Sequence, residues 1–382
     1  MRIVLSGIET NNKGAELMLY AILQEIERKY PDAEVYVPVY AVKQGLNYLH
    51  TKIYVKDKPY ANIKRLFSKL HVPGILRRLH INFNWFLDIY PVNNVDYFID
   101  GSGFAFSDQW HPTEATVKRW EYHLKKYKEQ GSKIIFLPQA FGPAKLQTTK
   151  NVLGVLNKYA DVIMPRENVS LQYLLDCGLN KTKIKKYTDF TSLVQGTFPQ
   201  KYKHLKGGIC IIPNLRMIDK GIISLQGYID LLVGIIKSAL VIGKPVYLLN
   251  HEGKGDENLA FKCKEKLSGS IEVVTGLNAL EVKGLIASSY LCISSRFHGV
   301  ASSLNSSVPC LSTSWSHKYE ELYKDYGLSD CVLDITDINK CLNKVSEYLS
   351  TEVNEKVRNI LDSSVPKIKK ETTDMWNLIW NL

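Results

Sequence analysis

Residues 288–328 read SSYLCISSRFHGVASSLNSSVPCLSTSWSHKYEELYKDYGL. An apolar run, Tyr290-Leu291-Cys292-Ile293, gives way at once to Ser294-Ser295-Arg296-Phe297-His298-Gly299. The pattern predicts a short buried strand, a polar turn, a helix of small residues over 299–305 and a second strand over 308–311. A second polar turn, 312–316, then leads to His317 and Lys318 at the mouth of another helix. Strand ends of this kind place Arg296, His298 and Lys318 near helix N-termini. In open α/β sheets ligands bind outside the carboxyl ends of the strands. Helix N-termini attract anions, because unpaired amides and the helix dipole both point at the ligand. The stretch therefore predicts α/β architecture and a site for a small, multiply charged anion.

Working outward, the same strand–loop–helix unit recurs along the chain. Residues 2–7 form an apolar strand, followed by the polar turn 8–14 and a helical period over 15–29. Strands are expected at 35–39, 95–99, 134–137 and 162–164, and after a polar, basic linker at 196–208 again at 209–212, 246–249 and 271–274. Helices are expected over 113–130, 167–176, 224–242, 256–267, 278–287, 335–349 and 352–382. Two such series on either side of a linker predict two doubly wound domains. Several strand ends carry candidate ligand-binding residues: Asn11, Asn12 and Gly14 after the first strand, Gly101 and Gly103 after 95–99, Gln139 after 134–137, and Arg166 after 162–164. Arg166 occupies the same topological position in the first half as Arg296 in the second. An arginine there can clamp a carboxylate or phosphate through two parallel hydrogen bonds. Asp189 precedes the crossover, and His251 with Glu252 follows the strand 246–249. The turn GIETNNKG is not a GxGxxG fingerprint, so a dinucleotide site is not expected.

The chain has 382 residues, 45% hydrophobic and 23% charged, as in ordinary two-domain globular proteins. A net charge of +11 favours anionic partners. Seven scattered cysteines without CxxC pairing suit reduced thiols in the cytoplasm better than a disulfide framework. No Cys/His cluster has zinc spacing, so no metal is expected. Nucleic-acid binding is not expected either, since no recognisable module is present. Residues 60–91 are basic, amphipathic and rich in aromatics, a composition that fits either an interfacial membrane helix or a helical excursion packed on the first domain. No apolar run reaches the roughly 20 residues needed to span a bilayer.

The block Ser295-Arg296-Phe297-His298-Gly299, followed by small residues, Pro309 and then His317-Lys318, resembles the polysaccharide pyruvyl transferase family. Residues 7–16 (GIETNNKGAE), 138–143 (PQAFGP) and Pro165-Arg166-Glu167 with Ser170 and Leu174 fit the resemblance in order and distance. Members usually carry a more glycine-rich version of the 138–143 loop.

The resemblance implies two Rossmann-like domains facing across a cleft, in the GT-B manner. The first spans 1–198 on the acceptor side, the second 205–360 on the donor side, and a terminal helix, 361–382, crosses back to the first. It also implies an activity: transfer of a pyruvyl group from phosphoenolpyruvate to a sugar of a cell-surface polysaccharide or its lipid-linked precursor, closing a cyclic ketal. Phosphoenolpyruvate is then a co-substrate, and no cofactor is required. Arg166, Arg296, Lys318, His317 and Ser295 would bind this donor, with His298 as general acid and Arg296 beside it. The setting is cytoplasmic, with residues 60–91 as the candidate contact to the inner face of the membrane. Two other readings fit the residues. One is a glycosyltransferase using a nucleotide sugar, with Glu320 or Glu321 on the ribose. The other is a non-catalytic polyanion-binding protein. The acceptor sugar, the bridged hydroxyls and the oligomeric state leave no trace in the sequence.

Overall fold

The structure, a computed structural model, describes residues 1–37, 52–55, 94–268, 271–313 and 318–382. His317 and the basic segment at 60–91 lie outside the described residues. Twelve described strands form two six-stranded sheets. In the first, β1 (Arg2–Ser6), β2 (Glu34–Val37), β3 (Lys52–Val55), β4 (Tyr97–Asp100), β5 (Lys133–Gln139) and β6 (Val162–Pro165) lie in the order 3-2-1-4-5-6. The second is built from β7 (Ile209–Ile212), β8 (Val246–Leu249), β9 (Glu272–Val274), β10 (Leu291–Ser294), β11 (Cys310–Thr313) and β12 (Val332–Leu333). Its order is 12-11-10-7-8-9, the same winding repeated. All pairings between these strands are parallel. Sheets of this sort are covered by helices on both faces, which is why strands such as Ile209-Cys210-Ile211-Ile212 read as unbroken apolar runs rather than alternating ones.

Helices connect successive strands. In the first half they are α1 (Lys13–Lys29), α2 (Glu114–Glu129), α3 (Gln147–Tyr159) and α4 (Asn168–Asp176). The second half supplies α5 (Arg216–Asp219), α6 (Leu225–Leu240), α7 (Gly253–Lys266), α8 (Ala279–Ala287), α9 (Phe297–Leu304), α10 (Lys318–Asp325), α11 (Ile338–Leu349) and α12 (Thr351–Trp380). Strand order reverses between β1 and β4 in one sheet and between β7 and β10 in the other. Those two switch points are where such folds open a crevice for ligand.

The expected terminal helices are one 30-residue helix. Val357, Leu361, Val365 and Ile368 of α12 pack into the core of the second sheet. Met375, Trp376, Ile379 and Trp380 of the same helix pack into the first, among Ile3, Leu5 and Ile22. The first core also takes in Ala279 and Leu280 of α8, so apolar packing is continuous between the lobes.

Local geometry sharpens the reading of the decisive stretch. Helix α9 begins at Phe297, two residues earlier than expected, with Arg296 as its N-cap. The turn is closed by Ser294, whose Oγ accepts the Arg296 amide at 3.0 Å. A Cβ on Gly299 would collide with the Ser294 hydroxyl and meet Ile212 Cδ1 at 3.0 Å, so the bare glycine lets α9 start hard against β7 and β10.

Candidate active site

The carboxyl edges of the two sheets face one another across a cleft of about 530 Å³. Arg166, His251, Glu252, Arg296, His298 and Lys318 line it, together with Asn12 and Gly103. Asn11, Gly14, Gly101, Gln139, Asp189 and Ser295 are not among its lining residues. Gly14 and Asp189 lie against His298, and the other four have places of their own. Asn11 is exposed. Gly101 packs on α1, where a Cβ would meet Ile22 Cδ1 at 2.7 Å and Ile8 Cγ2 at 3.0 Å. Gln139 is fully buried and donates to Asp100 Oδ1 at 3.2 Å. Ser295 lies behind the cleft, its hydroxyl bonded to Tyr228 (2.6 Å) and Thr313 (2.5 Å).

Three chemically active side chains converge around the Phe297 ring and Asp189. The Arg166 guanidinium, on a side chain only 5% exposed, lies over Phe297, with Cζ 3.9 Å from the ring centroid. Its Nη1 is 3.5 Å from Asp189 Oδ2. His298 Nε2 approaches the same Oδ2 at 3.3 Å from the other lobe. Neither approach has hydrogen-bond geometry. Arg166 Nη1, Asp189 Oδ2 and His298 Nε2 are buried polar atoms without a hydrogen-bond partner, a costly state that marks functional sites. Burial works to raise the Asp189 carboxyl, but His298, Arg166 and the Thr191 hydroxyl outweigh it and hold the group well below the usual carboxylate range. Asp189 is fixed as the cap of the turn Phe190–Leu193, accepting the Thr191 amide at 3.0 Å through Oδ1. Lys283 of α8 reaches from the second lobe to the Thr191 carbonyl at 2.9 Å and braces that turn.

Lys318 opens α10 between aromatic rings: its Nζ is 5.4 Å from the Phe297 centroid, 5.8 Å from Tyr319 and 5.9 Å from Phe104. Burial, then repulsion from Arg166 and Arg296, pushes its amine down to about 7, with Glu167 opposing. A buried lysine depressed in part by an arginine from the other lobe marks a spot where a nearby anion would restore its charge.

Arg296 is differently employed. Its Nε and Nη2 make a bidentate pair with Asp256 at 2.8 and 2.7 Å, and Nη1 bonds Glu252. Burial raises both of these carboxyls, with Arg296 opposing. Its guanidinium thus serves to neutralise two second-lobe acids and ties the start of α9 to α7. Glu252 in turn accepts Asn12 Nδ2 at 3.0 Å, and the Lys13 amide donates to the His251 carbonyl at 3.3 Å, so the two strand-end loops touch across the cleft. Burial, then the charges of Arg296, His298 and Lys13, holds His251 well below the usual histidine range, hence neutral. Asn12 also caps α1, its Oδ1 accepting the Gly14 amide at 2.8 Å. Gly14 has a steric duty: a Cβ there would strike the His298 ring.

Sequence reasoning passed over Phe297, Phe104, Gln109, Trp110, Asn214 and Asp256. Phe297 stands between two singled-out residues and was legible as a platform. Asp256 carries no local signal, since its bond to Arg296 crosses 40 positions. Nothing periodic marks Trp110.

Two switch-point crevices facing one another, with cations from both lobes around a histidine–aspartate pair, define a GT-B-like two-domain protein with a cleft lined by cationic side chains. The chain belongs to the polysaccharide pyruvyl transferase family, whose model matches residues 12–317. Solved structures with the same architecture include HepE (Alr3699) of Anabaena in complex with UDP and glucose, at 11% identity over 99% of both chains and TM-score 0.58. The UDP-GlcNAc 2-epimerase of Neisseria meningitidis bound to UDP-GlcNAc matches at 10% identity over the whole of both chains, with TM-score 0.64. The lipopolysaccharide outer core galactosyltransferase WaaB matches at 12% identity over the whole of both chains, with TM-score 0.50. At these identities the likeness speaks for the fold.

Proposed function

We propose that the cleft transfers the pyruvyl group of phosphoenolpyruvate to two hydroxyls of a sugar, forming a cyclic ketal on a cell-surface polysaccharide or its lipid-linked precursor. The observation that carries this reading is the meeting of Arg166, Lys318 and the His298–Asp189 pair around Phe297. A donor with a carboxylate and a phosphate needs at least two cations, and Arg166 and Lys318 come from opposite lobes. His298 is the general acid that protonates the methylene carbon of the enol. The neighbouring carbon takes on oxocarbenium character, a sugar hydroxyl adds to it, and inorganic phosphate departs. The second hydroxyl then closes the ketal, and the two hydroxyl protons leave to the acid's conjugate base and to solvent. Asp189 holds the imidazolium through its charge, as a buried carboxylate beside a catalytic histidine does. Arg296 supports the chemistry by fixing the turn that carries His298. No cofactor is called for. The work is assigned to the cytoplasm.

The nucleotide-sugar alternative loses ground in the geometry: Glu320 is exposed, Glu321 pairs with Lys324 at 2.8 Å, and neither lines the cleft. The deciding experiment measures thermal unfolding with phosphoenolpyruvate or UDP added, followed by phosphate release and product mass with labelled phosphoenolpyruvate and nitrophenyl glycosides. Protection by phosphoenolpyruvate, with phosphate release dependent on a sugar, is expected. Protection by UDP alone would reassign the site.

A further inference from the structure

Trp110 stands at the mouth of the cleft with 53% of its surface exposed, although its ring is immobilised. Its Nε1 donates to the Phe104 carbonyl at 2.7 Å, and its ring meets Phe104 edge-on at 6.2 Å. The short turn Asp108–Trp110 beneath it is fixed from several sides. Ser107 Oγ accepts the Gln109 amide at 3.2 Å, and the Asp108 carboxylate accepts the amides of Lys145 and Leu146 at 2.6 and 3.1 Å. His111 ends the turn in the left-handed region, at φ 44°. A large apolar ring that is held rigid and kept in water gains nothing for folding, whereas a rigid ring loses little entropy when something stacks on it.

The ring also continues the donor pocket. Phe104, against which Trp110 rests, has Lys318 Nζ 5.9 Å from its centroid. Arg166, Phe297, Lys318, Phe104 and Trp110 form a series that passes from cationic to aromatic between the cleft floor and its rim. Next to the indole, Gln109 lines the same wall and offers both a donor and an acceptor. A pyranose presents an apolar C–H face and a rim of hydroxyls, which matches an exposed aromatic face beside an amide. Phosphoenolpyruvate has no such face.

We infer that Trp110, with Gln109 beside it, is the stacking subsite for a pyranose ring of the acceptor, holding the sugar so that its hydroxyl pair points toward the donor. This rests on the transferase reading above. Saturation-transfer NMR with a panel of methyl hexopyranosides, recorded without donor, tests it in the wild type, Trp110→Phe and Trp110→Ala. Ring C–H protons should be saturated in the first two proteins, with binding weakened about tenfold in Trp110→Ala, as expected for loss of one aromatic face. Thermal protection by phosphoenolpyruvate, measured on all three, should be unaltered. Equal saturation in Trp110→Ala, or none with any pyranoside in the wild type, overturns the inference. So does Trp110-dependent saturation by UDP in place of the sugars. Failure of phosphoenolpyruvate to protect the wild type strikes the transferase reading itself, and the donor-free NMR result separates the two failures.

Discussion

Gly14, Arg296 and His298 show how a residue's neighbours set its work. His298 is held between the first turn of α1 and Asp189, and the absence of a Cβ at position 14 is what admits its ring. Gly14→Ala should therefore lower sugar-dependent phosphate release about a hundredfold, within the range for a displaced general acid. Its melting temperature should fall as well, since the added Cβ overlaps the His298 ring down to its Cβ and such overpacking costs on the order of 1–3 kcal/mol. His298→Gln is expected to lose a comparable or larger factor; the pair are compared by steady-state assay alongside thermal scans. Arg296 behaves otherwise. Removing it strands the buried Asp256 carboxylate and leaves the half-buried Glu252 without its cation, so Arg296→Met should cost stability on the order of 3 kcal/mol, read as a lower midpoint in urea. The reason is the bidentate bond to Asp256. An Arg296→Met protein as stable as wild type would show that the carboxylates take up protons at no cost.

At the scale of elements, the pivotal pieces are strand ends and one long helix. The loops after β1, β4, β6, β8, β10 and β11 line the cleft as expected, while the loop after β7, with Asn214, Arg216 and Lys220, joins them without any signal in the sequence. The small deviations have physical causes. Helix α9 starts early because Gly299 allows close approach to β10. The strand β12 escaped notice because two residues, Val332 and Leu333, carry no period. The single helix α12 reads as several because Pro366 interrupts its pattern. That helix ties the lobes together: its first half belongs to one core and its last turns to the other. Trp376 is 1% exposed, and its ring stacks on Trp380 at 5.5 Å. Trp376→Ala should cost about 3 kcal/mol in equilibrium unfolding, by loss of buried area and the cavity left behind. A change below 1 kcal/mol would mean that the terminal turns frays without consequence.

The whole molecule sets the charge state of the site. Arg166 belongs to the first lobe and Lys318 to the second, and their proximity across the cleft adds to burial in pushing the Lys318 amine down to about 7. The group is a cation below that pH and neutral above it, so affinity for an anionic donor should fall as pH rises through 7. For one titrating group the loss between pH 7 and 8 is about fivefold, measured by calorimetric titration with phosphoenolpyruvate. Lys318→Arg, which keeps its charge throughout, should flatten the profile. An unchanged slope in that variant would remove Lys318 from the donor site.

The sequence by itself determined the two α/β series, the order of their loops and the Ser-Arg-Phe-His-Gly block, because strand and helix periods and glycine turns are local signals. Tertiary structure alone decided which of those residues meet. Asp189 reaches His298, Asp256 takes Arg296, Gly14 makes room for an imidazole in the other lobe, and Trp110 stands over the opening. These partners lie far apart in the chain and share no repeat. Their pairing follows from two sheets being packed edge to edge by α12, and from burial, which makes each unpaired charge expensive and so dictates its neighbour.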